Sequence, residues 1–154
     1  MRNQQWPSVL IAILIAAAIV IGPGLVLSGF VSNSVNPLDP NVSVDAWRSA
    51  YMTALGWSAA VAALFSAVWL LMAHGGRGLD TKAGAWYALW GVAIFVTALL
   101  AWLIPPTVKE GPAIPMSICA VLVFAAYWTA TLFLTPDQYR FTPLLGRVLW
   151  GRHA

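Results

Sequence analysis

From Tyr51 to Ala73 the chain carries no Asp, Glu, Lys or Arg. Wound as an α-helix, that run is about 34 Å long at roughly 1.5 Å per residue, enough to cross a hydrocarbon core of ~30 Å. Three more uncharged runs occupy 9–31, 85–104 and 116–134. Over the whole chain only 8% of residues are charged and 60% are hydrophobic. A water-facing domain carries about 25% charged residues, so a chain this poor in charge lacks the groups to clothe a surface in water. The sequence therefore predicts an all-α integral membrane protein, a single membrane domain over 1–154. Its four transmembrane helices are expected at 9–31, 51–73, 85–104 and 116–134, followed by a short C-terminal interfacial segment over 135–154.

The flanks support these limits. Pro7 suits the first turn of a helix, where its missing N–H would be unpaired anyway. Run 9–31 exceeds the usual 7–15-residue core of a signal peptide, and a retained helix is the favoured reading. Within it, Gly22-Pro23-Gly24 interrupts the helical hydrogen bonding and is read as a candidate hinge, with a simple packing kink as the plainer account. Turn formers in Pro37-Leu38-Asp39-Pro40-Asn41 close the first connection. Ser43 or Asp45 is the expected cap of the second helix, with Trp47 and Tyr51 at the lipid interface. Asn41-Val42-Ser43 matches a glycosylation triplet of a kind that arises often by chance. The glycines at 75, 76, 78 and 84 follow no strand and precede no Gly-Lys-Ser/Thr, so they read as a tight turn and not as a phosphate cradle. Trp86, Tyr87 and Trp102 place aromatics at both ends of the third helix, and Pro105-Pro106 ends it. Thr135-Pro136-Asp137 stops the fourth.

Orientation follows from the basic residues. The N-terminus, the second connection and the tail hold Arg2, Arg77, Lys82, Arg140, Arg147 and Arg152, whereas the other two connections hold Arg48 and Lys109. The positive-inside rule places both termini in the cytoplasm of a multi-pass protein of the cell inner membrane. The same distribution accounts for the net charge of +3 without a nucleic-acid partner, because the basic residues are few and scattered.

Packing is read from the second helix. Ala59, Ala62, Ala63, Ser66 and Ala67 form a small-residue arc, where a neighbouring backbone can approach closely. Trp57, Val61, Leu64, Phe65, Val68 and Trp69 form a bulky one. In the fourth helix, Tyr127, Trp128, Thr129 and Thr131 are expected to make a hydrogen-bonded contact with the first or third helix. In the tail, Arg140, Arg147, Trp150 and Arg152 are candidate contacts to lipid headgroups or to a partner subunit.

The expected chemistry is passive. No span brings an ionisable residue to depth, where translocon scales put its cost at ~2.5–3.5 kcal/mol. His74 and His153 do not pair for haem, and the single Cys119 makes neither a disulfide nor a Cys-x-x-Cys site. No catalytic, cofactor or metal residues are assigned. The expected function is a non-catalytic accessory or scaffold subunit of a larger bacterial inner-membrane complex, of respiratory, photosynthetic or secretion type. Its partners would be other membrane subunits and phospholipid. Two alternatives are a homo-oligomeric pore or carrier lined by Ser58, Ser66, Thr97, Thr129 and Thr131, and a small enzyme using Asp80, Lys82, Lys109 and Glu110.

Overall fold

The computed structural model describes residues 5–34, 44–75, 82–103, 113–136, 139 and 142–150. The turn at 37–41, the triplet at 41–43, Gly76 to Asp80, Pro105-Pro106 and Lys109-Glu110 lie outside them. Four long helices make up the fold: α1 (Gln5–Ser34), α2 (Val44–His74), α3 (Lys82–Leu103) and α4 (Ala113–Leu134). A one-turn α5 (Gly146–Trp150) follows. Three stretches are long and apolar enough to cross a membrane, Trp6–Gly29, Trp47–His74 and Met116–Leu134. The apolar stretch of α3, Gly84–Leu100, is shorter.

The helices run beyond the expected limits for identifiable reasons. Helix α2 starts nearly two turns before Tyr51. Trp47 and Tyr51 stack with ring centroids 5.2 Å apart and are buried in the bundle, not set against its surface. Packing of that first turn carries the helix outward to Val44. Asp45 sits inside the first turn of α2, where a carboxylate favours the positive end of the helix dipole. Helix α4 begins at Ala113 and holds Pro115 in its first turn, the position where proline costs least.

Helix α1 is continuous through Pro23. Its buried residues, Val9, Ala12, Ala16, Val20, Gly24 and Ser28, recur every three or four positions along one narrow seam. The seam crosses Gly22-Pro23-Gly24 without changing face. Gly24 has a packing reason to be glycine: a Cβ built there would stand 2.7 Å from Leu55 Cδ1 and Cδ2 on α2. Gly22 has nothing within 4 Å of the same atom.

Packing is rhombic. Helices α2 and α4 touch each other, and α1 and α3 each pack on both of them. The core divides into two layers. One joins Ala16 and Val20 of α1, Trp47 to Ala62 of α2, Ala93 of α3 and Cys119 to Ala126 of α4. The other joins Val9 and Ala12, Trp69 to Ala73, Trp86, and Tyr127 and Ala130. The start of α1 therefore shares an end of the bundle with the close of α2, the start of α3 and the close of α4. The four helices alternate in direction.

Candidate functional site

The densest polar chemistry lies in the second layer, on one face of α4. Tyr127, Thr131 and Thr135 follow at four-residue intervals, and the indoles of α2 and α3 meet that face. Trp86 Nε1 donates to Thr131 Oγ1 at 2.9 Å, and Trp69 Nε1 donates to Thr135 Oγ1 at 2.9 Å. Tyr127 Oη donates to the Trp86 carbonyl at 3.2 Å. Each threonine hydroxyl also donates backward along α4. Thr131 reaches the Tyr127 carbonyl at 2.8 Å, and Thr135 reaches the Thr131 carbonyl. Trp69, Trp86, Tyr127 and Thr131 are fully buried, and Trp86 lies 5.3 Å from the Tyr127 ring and 6.4 Å from that of Trp90.

This arrangement follows from the amphoteric character of a hydroxyl. A threonine on a helix gives its proton to the carbonyl one turn back and keeps its lone pairs for an outside donor. An indole N–H can only donate, so burying it calls for such an acceptor. Two Trp–Thr pairs and one tyrosine bond thus clamp α2 and α3 to α4. Each of the two threonine hydroxyls both donates and accepts, while the Tyr127 hydroxyl donates.

The expected contact of α4 is met in part by other residues. Tyr127 and Thr131 do join α3. Trp128 instead donates Nε1 to the Leu144 carbonyl at 2.8 Å, holding the chain after α4 against the bundle. Trp69 and Thr135 are unanticipated members, one read as part of the bulky arc and the other as a helix stop. The four-residue spacing of Tyr127, Thr131 and Thr135 was the signal available for them. Trp86 was expected at the interface and is fully buried.

The other candidate residues are distributed as follows. Ala59, Ala62 and Ser66 are buried within this chain's own core, and Ala63 and Ala67 are half-buried at its edge. The two arcs of α2 do not separate as expected, since Val61 and Trp69 bury beside the small residues while Trp57 and Leu64 face outward. Ser58 and Thr97 are buried and donate to the Ala54 and Ala93 carbonyls at 2.7 and 2.8 Å. Cys119 is buried as a free thiol. Three buried polar atoms among the described residues, Tyr51 Oη, Ser66 Oγ and Trp90 Nε1, have no hydrogen-bond partner. His74 ends α2 with Nδ1 2.9 Å from the Leu70 carbonyl. Arg147 and Trp150 lie on α5, and Arg140 and Arg152 lie outside the described residues.

The described residues thus form an all-α bundle of four long helices in which Trp69, Trp86, Tyr127, Thr131 and Thr135 supply hydrogen bonds from helix to helix. No family model matches it, and no curated protein or solved structure is significantly similar.

Proposed function

We propose that this chain is a non-catalytic accessory or scaffold subunit of a larger bacterial inner-membrane complex. In this reading all four long helices span the bilayer and both termini are cytoplasmic. The supporting observation is the inversion of polarity across the bundle. Hydroxyls and indoles tie the helices together inside. Outside, Leu10, Leu14, Val26, Trp57, Leu64, Phe95, Val121 and Phe133 are 55–75% exposed. Patches of that extent on a protein in water mark surfaces that something else covers, and here they girdle the molecule, as lipid and neighbouring helices would require.

The pore reading is weaker on a specific point. Of its five residues Ser58, Ser66, Thr97 and Thr131 are at most 2% exposed within a single copy and so are not free to line a lumen between copies, and Thr129 alone is half-buried. The expected small-residue face is also largely occupied by the chain itself. A partner approaching α2 would meet its outward small positions, Gly56 and Ala60, beside the edge residues Ala63 and Ala67.

Purification in mild detergent followed by mass spectrometry tests the proposal. The expected result is one or more proteins in stoichiometric amount, reduced by Ala60→Trp without loss of the folded chain. Recovery of the wild-type chain alone, as a monodisperse monomer, would defeat it.

A further inference from the structure

The segment after α4 is built outward. Pro143 and Gly146 are buried, and the Trp128 indole holds the Leu144 carbonyl. Beyond this anchor Leu144, Leu145, Val148 and Leu149 are 40%, 50%, 70% and 55% exposed. The turn that presents them is closed by Gly146 N–H donating to the Pro143 carbonyl at 2.8 Å, and Leu145 within it has φ of 67°. That is left-handed backbone, where glycine is at ease and a leucine is strained. The Leu145 carbonyl then accepts from the N–H groups of Val148 and Leu149 at 3.0 Å each, which starts α5. The backbone carries a side chain here that the turn itself would sooner be without. The strained position thus presents an exposed leucine, an apolar side chain that this chain leaves half uncovered.

Charge indicates what meets it. After Asp137 the sequence has no acid, while Arg140, Arg147 and Arg152 alternate with the apolar residues. Apolar side chains on a basic segment match the acyl boundary below a layer of anionic headgroups. We infer that Leu144, Leu145, Val148 and Leu149 form a foot that seats in the anionic phospholipid leaflet at the end of the bundle shared by the start of α1 and the close of α4. The foot rests on the membrane reading given above, but not on the existence of a protein partner.

The test uses the full chain in vesicles of phosphatidylcholine, with and without phosphatidylglycerol. An environment-sensitive fluorophore is placed on Val148→Cys and, separately, on Phe95→Cys, an outward site midway along α3. The native Cys119 is fully buried, so labelling reports the introduced thiol. Quenching by lipids brominated on the acyl chain is expected at both sites. At residue 148 it should deepen with phosphatidylglycerol, and each of Arg147→Gln and Arg152→Gln should weaken the lipid-seated population about fivefold. Leu145→Gly relaxes the turn, yet it should reduce quenching at 148 while leaving quenching at 95 unchanged. Quenching at 95 with a water-like signal at 148 would overturn the foot alone. A 148 signal shielded from both brominated lipid and aqueous iodide would overturn it in favour of a protein contact. Water-like signals at both sites would overturn as well the reading in which all four long helices span the bilayer.

Discussion

Single atoms decide two positions. At Gly24 the added Cβ of Gly24→Ala would stand 2.7 Å from both methyls of Leu55, so this buried side chain must shift to admit it. Overpacking of this kind costs about 1–3 kcal/mol. Gly22→Ala adds its methyl to open space and should be neutral or stabilising by up to about 1 kcal/mol, the helix propensity of alanine over glycine. SDS-induced unfolding should separate the two variants, and Leu55→Ala should partly rescue Gly24→Ala. At Thr131 the hydroxyl is the acceptor for a buried indole. Thr131→Val leaves the Trp86 N–H unpaired and should cost about 1–2 kcal/mol in the same assay, at the upper end for interhelical bonds in membranes. Thr131→Ser keeps the oxygen and should recover most of that loss.

At the scale of the helices, α2 and α4 form the spine and small residues set their spacing. Ala62 is fully buried among side chains of this chain's own core. Ala62→Trp is therefore expected to prevent the bundle from packing, seen as loss of a monodisperse species after mild solubilisation. Ala60→Trp, on the outward face of the same helix, should leave the bundle intact. Apolar runs and proline positions made the helices legible from sequence, because length and lack of charge act within each segment by itself. The faces were less legible. In water the polar side of a helix marks its outside, whereas the spans within α2 and α3 are mostly apolar on every face and tryptophan serves equally well on either side. Trp57 faces out, but Trp47, Trp69 and Trp86 face in, each held by a contact from another element or a neighbouring turn. The partners of Trp69 and Trp86 lie more than forty residues away, a pairing that the local sequence of α2 or α3 does not reveal. On α4 the expected cluster of Tyr127, Trp128, Thr129 and Thr131 holds two members of the contact, whereas Thr135 reads locally as a helix stop because its partner Trp69 lies on another helix.

For the whole molecule, helix direction and charge are independent observations that bear on one question. The alternating packing puts the start of α1, the close of α2, the start of α3 and the close of α4 at one end of the bundle. The segments leading from that end carry Arg2, Arg77, Lys82, Arg140, Arg147 and Arg152, six of the eight basic residues. The opposite end has Asp45 and Arg48 in the opening turns of α2, and the segments leading from it carry Lys109, Asp39 and Glu110 in sequence. Lysine and arginine resist translocation, so the basic end is expected to stay in the cytoplasm. A fluorescent protein that matures only in the cytoplasm should be bright when fused after Ala154, and alkaline phosphatase at the same site should be inactive. Phosphatase inserted within 35–43 or 104–112 should be active. The proposed orientation rests on a difference of four basic residues, so reversing part of it should show: Arg77→Glu with Lys82→Glu, together with two arginines added within 35–43, is expected to give a mixed population reporting from both sides. Phosphatase activity at the unaltered C-terminus would mean an odd number of crossings or an inverted insertion. The first would place α3, with its shorter apolar stretch, outside the bilayer. The second would leave the bundle unchanged and set the basic foot in the outer leaflet.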